Sequence, residues 1–334
     1  MSTPRFTSSA TAVEAIELIG RARKVFVTAH IAPDGDTVGS ALGLYWALTQ
    51  LDKEVRVSCA DPVPESFRFL PGAELFHAVL PDSDELLVVP DSSDPQRLGA
   101  VYVPELFRGR PVVNVDHHVT NIRFGSINWI ETKAASTAEI VFELVLALGA
   151  KLDQNIAVCL LTGIVTDTLV FRTSNTTAGS LDCAAQLMRA GALLTPIVEQ
   201  TFNTRELSDL KLQGLILAGL VVEDGLIWAD NSMQVRRQAA AVDNHGSGIG
   251  TLLLSARTAL VSVLFIERDK NTIEVSFRAR PGVDISKVAF GLGGGGHAQA
   301  AGCTINATLA EAHERVLPAL RALLQARQAE LRPS

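Results

Sequence analysis

The chain has 334 residues, 47% hydrophobic and 19% charged, which suits two packed cores and argues against intrinsic disorder. No apolar run reaches the ~18 residues of a membrane span, and residues 1–15 (MSTPRFTSSATAVEA) lack a signal peptide's apolar centre, so a cytoplasmic protein with no membrane attachment is expected. The 36 acidic residues outnumber the 29 basic ones, for a net charge of −7. Long-duplex binding, which needs a basic face, is therefore not expected, whereas a small anionic substrate met by metal ions fits the balance.

In chain order, Lys24–Thr28 (KVFVT) reads as a strand, followed by a loop and an apolar helix from about Thr37 to Leu51. Glu54–Ser58, Leu86–Val89 and Pro111–Val115 read as further strands, and helices are expected at about Thr137–Leu148 and Asn155–Val165. Strands alternating with helices predict an α/β fold, a doubly wound and mostly parallel sheet, over residues 1–190. Residues 191–215 read as a helical linker and hinge. Beyond it, Leu226–Ala229 reads as a strand, and Ala259–Glu267 runs into Thr272–Arg280 across a polar turn, a hairpin signal. With a glycine cluster and a helix from about Leu309 to Glu330, residues 216–334 read as a second, smaller α+β domain. Cys59, Cys159, Cys183 and Cys303 are scattered and read as reduced, buried thiols.

The acidic and imidazole residues cluster around those strands. KVFVT is followed by His30, Asp34 and Asp36; LLVV by Pro90 and Asp91; PVVNV by Asp116, His117 and His118; and the helix ending near Val165 by Asp167. In open parallel sheets, ligands bind beyond the carboxyl ends of the strands. Taken singly, each Asp fits a turn residue as well as a ligand, and His30 fits a packed histidine. Together, five Asp and two or three His at one sheet edge would repel without a counter-charge. Mixed carboxylate and imidazole with no thiolate suits Mn²⁺ or a similar divalent ion, and there are enough ligands for two. A two-metal site points to hydrolysis of a phosphate ester.

His30-x-x-x-Asp34-x-Asp36, Asp91, Asp116-His117-His118 and Gly163-x-x-x-Asp167-Thr168 resemble, in order and approximate spacing, the four motifs of the DHH phosphoesterase family. The resemblance implies one metal on His30, Asp34 and Asp91 and another on Asp36, Asp91, His117 and Asp167, with Asp91 bridging. It implies that Asp116 and His118 support the site and contact substrate. Pro90 departs from the small or hydrophobic residue frequent before the bridging Asp, and a strand end tolerates it.

In the second domain, Gly293–Gly296 precede His297, and consecutive glycines can turn backbone N–H groups toward one anion, with a following helix adding its positive end. A flexible loop fits a bare glycine run equally well. The segment resembles the signature of the DHH-associated C-terminal domain. That resemblance implies that Arg278, Gly294, Gly295, Gly296 and His297 bind the substrate's phosphate from across a cleft. Arg280, on the same strand face as Arg278, fits a substrate contact or a solvated charge. Gly246–Gly250 (GSGIG) reads as a loop. A chain of this size and domain pairing resembles the family's nanoRNase group. This implies hydrolysis of short single-stranded RNA and of 3′-phosphoadenosine 5′-phosphate (pAp), and a homodimer. The other readings are a cyclic- or linear-dinucleotide phosphodiesterase in signalling, and a nucleotide sensor without turnover.

Overall fold

A computed structural model describes residues 5–241 and 248–330, and the chain divides between Thr204 and Arg205 into two compact units. This division falls inside the linker expected from sequence. The first unit runs α1 (Ala10–Arg21), β1 (Lys24–Thr28), α2 (Gly35–Gln50), β2 (Glu54–Ser58), β3 (Leu86–Pro90), α3 (Pro104–Phe107), β4 (Val112–Asp116) and β5 (Ile127–Ile130). It continues with α4 (Thr137–Ala147), α5 (Gln154–Asp167), α6 (Ala178–Arg189) and α7 (Leu194–Val198).

Its five strands form one parallel sheet in the order β2-β1-β3-β4-β5. Every residue of β3 and β4 is buried, because both faces are covered and a parallel strand cannot alternate with a wet side. Val25, Val27, Val88, Val113 and Val115 point into the larger core with α2, α4 and α5. Phe26, Leu87, Val89 and Val112 point the other way, onto Leu98, Val101 and Phe107. The chain leaves β1 toward β2 on one side and reaches β3 on the other. The β1/β3 boundary is thus the topological switch point, where the loops diverge and open a crevice.

α2 and α5 cross closely because glycines face the contact. A Cβ on Gly39 would stand 2.4 Å from the Cys159 carbonyl oxygen, and one on Gly163 would stand 2.7 Å from Asp36 Oδ1. Gly163 in the Gly-x-x-x-Asp motif therefore has a packing reason: it brings Asp36 up to α5, one turn before Asp167.

The second unit runs α8 (Leu207–Ala218), β6 (Val221–Glu223), β7 (Leu226–Asn231), α9 (Met233–Ala239), α10 (Ile249–Leu254), β8 (Val261–Asp269) and β9 (Thr272–Ala279). After it come α11 (Ser286–Gly291), β10 (Gly295–His297), β11 (Ala300–Asn306) and α12 (Leu309–Glu330). Its mixed sheet has the order β10-β11-β9-β8-β7-β6, with β7 and β8 parallel and the other pairs antiparallel. One face packs on α12 through Val263, Phe265, Val275 and Phe277; Leu264 and Ile266 on the opposite face pack with Leu212, Ile249 and Leu253.

Two readings in this unit are corrected. No helix follows the glycine run: Gly295–His297 and Ala300–Asn306 form a hairpin, because Gly296, at φ +136°, lies against Ala301, where a Cβ would meet its Cα at 2.5 Å. Of the GSGIG segment, Gly246 and Ser247 lie outside the described residues, Gly248 is the left-handed N-cap of α10, and Ile249 and Gly250 are helical rather than loop. All four cysteines are buried and unpaired. No helix of the described residues is long and apolar enough to cross a membrane.

Candidate metal centre

The carboxyl edge of the first sheet gathers every acidic and imidazole residue singled out in that half. His30 follows β1, Asp91 follows β3, and Asp116 ends β4 with His117 and His118 just beyond. Asp167 is the last residue of α5. His30, Asp36 and Asp91 are each 1% exposed and Asp116 is fully buried, whereas Asp34 is exposed and His117, His118 and Asp167 are half-buried.

Local structure explains each placement. Asp34 is the N-cap of α2: its Oδ1 accepts from the Asp36 and Thr37 amides at 3.1 and 3.0 Å. Its Oδ2 stands 3.9 Å from His30 Nε2. Asp36 lies in the first turn of α2 and accepts from the N-terminus of another helix. The Thr137 amide of α4 donates to Oδ2 at 2.6 Å, and the Ala138 amide donates to Oδ1 at 2.9 Å. A helix N-terminus carries free N–H groups and positive partial charge, so it can hold a buried carboxylate. Asp91 sits at φ +59°, a left-handed conformation that Asp tolerates better than most residues but at some cost in strain. Its amide donates to the Val115 carbonyl at 2.9 Å, extending the ladder past Pro90.

Asp91 offers one oxygen to each side. Oδ2 lies 3.6 Å from His30 Nε2, and Oδ1 lies 3.9 Å from His117 Nε2. The Thr37 hydroxyl donates to Oδ2 at 2.5 Å and the Thr137 hydroxyl to Oδ1 at 3.0 Å. Two groups with ligand atoms within 4.8 Å of one another result: His30, Asp34 and Asp91; and Asp36, His117 and Asp167. A third, Asp91, His117 and His118, meets the same criterion. There, however, His118 Nδ1 is already 2.7 Å from Asp116 Oδ1.

The electrostatics are those of carboxylates and imidazoles crowded at one buried edge. Burial first, and then Asp91, Asp167 and Asp34, push the Asp36 carboxyl well above the usual carboxylate range. Burial also acts against the Asp91 carboxylate, but the hydrogen bond from His30, the His117 charge and the Thr37 hydroxyl outweigh it and hold the pKa low. At His117 burial opposes protonation; the Asp167 carboxylate 3.2 Å away, with Asp91 and Asp116, overcomes it and raises the pKa to about 9. Protonated histidine thus supplies positive charge beside these carboxylates.

A second layer, which the sequence reading missed, orients these groups. Asn121 donates to Asp116 Oδ2 at 2.6 Å and to Asn114 Oδ1 at 2.8 Å, and the Asn114 amide in turn donates to the Val89 and Ser92 carbonyls. Thr37 and Thr137 hold Asp91 as above. The Ser136-x-x-Glu139 spacing signals a helix start, and Ser136 is the N-cap of α4. That the first amides of this helix would be spent on Asp36, 101 residues away, had no local signal.

In the second unit, strand register puts His297 opposite Ala300, and Ala300 opposite Arg278. Directly opposed residues share a sheet face, so the His297 and Arg278 side chains emerge on one side, across the small Ala300. His297 is exposed and Arg278 half-buried, with its Nη1 donating to the Phe277 carbonyl at 2.9 Å. Arg280 is committed elsewhere: it donates to the carbonyls of Leu254, Ala256 and Ala259, closing the end of α10. A Cβ on Gly294 would stand 2.1 Å from the Gly302 carbonyl oxygen, so Gly294 and Gly296 are required by the hairpin itself, while a Cβ on Gly295 would meet nothing.

Residues 24–164 match the N-terminal domain of the DHH family, and residues 238–326 match the DHHA1 domain. The chain is 36% identical over 301 residues to the bifunctional oligoribonuclease and PAP phosphatase NrnA of Thermus thermophilus, covering 89% of each protein. It is 28% identical over 334 residues to the cyclic-di-AMP phosphodiesterase PdeA of Listeria monocytogenes, covering 92% of this chain and 48% of that one. Among solved structures, an exopolyphosphatase-related protein from Bacteroides fragilis shares the fold, with a TM-score of 0.82 and 23% identity over 96% of this chain and 98% of that one. With carboxylates and histidines from four motifs on one sheet edge and a DHHA1 domain following in sequence, this chain belongs to the DHH family.

Proposed function

We propose that the chain is a metal-dependent phosphoesterase that hydrolyses short single-stranded oligoribonucleotides to mononucleotides and converts pAp to AMP. The observation that carries this reading is the two-sided Asp91 carboxylate, with one oxygen toward His30 and the other toward His117. His30, Asp34 and Asp91 would hold one divalent ion, and Asp36, Asp91, His117 and Asp167 the other. The oxygen-and-imidazole donor set, and the crowding of buried Asp36 by Asp91, Asp167 and Asp34, suit hard or borderline ions, Mn²⁺ first. Such a pair supplies an activated water at neutral pH and stabilises charge on a phosphoryl group.

The remaining chemistry falls to the protein. Asp116 takes the Nδ1–H of His118, which fixes the ring and leaves Nε2 as its other donor. That hydrogen bond raises the His118 pKa, with the Asp116 and Asp91 charges adding to it and burial opposing. An imidazolium so held can pass a proton to the leaving oxygen as the P–O bond breaks. In the second unit, Arg278 and His297, with the Gly294–Gly296 backbone, would bind a substrate phosphate from their shared sheet face. A cytoplasmic homodimer completes the reading.

A turnover assay with Mn²⁺ tests it, comparing an RNA dinucleotide, a pentamer, a 24-mer, cyclic di-AMP and pAp. Fast cleavage of the two shortest RNAs together with pAp is expected. Activity confined to cyclic di-AMP or the dinucleotide would instead assign a signalling phosphodiesterase, the activity named in the Listeria relative. Silence on all five would leave a sensor.

A further inference from the structure

One cation beside the candidate metal centre has no role in the account above. Arg97 lies in the 3₁₀ segment Pro95–Val101, which Asp94 caps by accepting from the Gln96 amide at 2.8 Å. This segment is fixed against the loop after β1: the Ile31 amide donates to the Arg97 carbonyl at 2.7 Å. Gly99, at φ +58°, allows the approach, since a Cβ there would meet Ile31 Cγ2 at 2.5 Å. The backbone thus carries the half-buried Arg97 side chain to His30, where Nη2 stands 3.2 Å from Nδ1 and 3.3 Å from Nε2.

These near-equal distances matter. A donor aligned with the in-plane lone pair of one imidazole nitrogen lies far from the other, so Arg97 occupies neither lone-pair direction. His30 Nδ1 is 2.7 Å from the Ile31 carbonyl, and Nε2 faces Asp91 and Asp34. Arg97 therefore sits beside the ligating nitrogen without blocking it. Nor does it neutralise the acidic cluster by pairing: among the described residues, no carboxylate oxygen lies within 4.0 Å of its guanidinium. A guanidinium has five donors in a planar fork that matches two oxygens of a phosphate. Here that fork stands next to abundant carboxylates and is bound to none.

We propose that Arg97 is a substrate contact that donates to a non-bridging oxygen of the phosphoryl group under attack, from the His30 side; this rests on the phosphoesterase reading. In hydrolysis, water oxygen bonds to phosphorus, the bond to the leaving oxygen breaks, and the leaving oxygen takes a proton. Arg97 neither gains nor loses one. Its contribution is a fixed positive charge where negative charge grows, the arrangement in which preorganised donors are most effective.

The test uses the full chain loaded with Mn²⁺ and the variants Arg97→Gln, Arg97→Lys and Arg97→Ala. Three readouts are taken: bound metal per chain, calorimetric affinity for inorganic phosphate, and kcat/KM on a 5′-phosphorylated dinucleotide. We expect Arg97→Gln to retain its metal, to lose about tenfold or more in phosphate affinity, and to lose about 10²–10³-fold in kcat/KM. Arg97→Lys should fall between Gln and the native residue, and added guanidinium should restore turnover in Arg97→Ala but not accelerate the native protein. Phosphate affinity within threefold of native in Arg97→Gln would overturn the assignment. Loss of metal in Arg97→Gln would also overturn it, by making Arg97 a support for His30. Should the native protein turn over no phosphoester while Arg97→Gln still weakens phosphate binding, the contact stands and the hydrolase reading falls.

Discussion

The two units prepare their candidate sites in opposite ways. In the first, the central carboxylates are buried and preassembled: Asp36 rests on the amides of α4, Asp91 is held by two threonine hydroxyls, and Asp116 by an asparagine. In the second, a half-buried Arg278 and an exposed His297 share a sheet face over Ala300. The difference follows from what each would bind. Small, highly charged ions need ligands placed to within tenths of an ångström, which only packed and hydrogen-bonded side chains provide. A phosphate on a flexible nucleotide needs a few donors on an accessible surface, which can adjust when it arrives.

The largest effect that would sharpen this contrast is expected at Asp91. Asp91→Ala should abolish metal binding and reduce turnover by more than about 10³-fold, several kcal/mol of lost stabilisation. Metal analysis and circular dichroism on the same sample check it, and full activity would break the two-metal assignment. Next, Arg278→Gln and His297→Ala should raise KM by roughly 10–100-fold, the worth of a hydrogen bond to a charged group, with bound metal unchanged. Loss of metal in either variant would break the division of labour between the units. Thr137→Val keeps the α4 amide on Asp36 but removes the hydroxyl from Asp91. We expect metal affinity to fall by about tenfold, the lower range for an outer-shell partner, measured by competition with a chelator.

The smallest effect is a pH dependence confined to the first unit. The folded-state pKa of His117 is raised from 6.5 to about 9. Its contribution to stability is thus fully present below about pH 6.5 and is lost as pH rises through 9. The raised pKa of Asp36 acts in the same sense. The melting temperature of the metal-free protein should therefore decline between pH 6.5 and 9. The metal-loaded protein should lack this decline, because bound ions replace the protons. Identical pH profiles with and without metal would break the link between these residues and metal.

The sequence by itself determined the parallel sheet and the ligand candidates. Buried parallel strands read as short apolar runs, and Asp and His immediately after such runs must lie at the sheet's carboxyl edge. His30, Asp91 and Asp116 could be placed in this way because their positions depend on the few residues before them. Asp167 was also legible, through the Gly163-x-x-x-Asp167 motif, although the helix expected to end near Val165 runs on to carry it. Tertiary structure alone decided the rest. The strand order that sets His30 and Asp91 on either side of the switch point depends on long-range pairing. So do the α4 amides reaching Asp36 across 101 residues and the Asn121 bond to Asp116. In the second unit, a run of four glycines read as an anion nest or a flexible loop, and the hairpin it forms had no local signal. Packing of Gly294 and Gly296 against the next strand decided for the hairpin. Local sequence specifies what a segment can do when its side chains limit the backbone. Glycine imposes no such limit, so there the neighbouring strand chose.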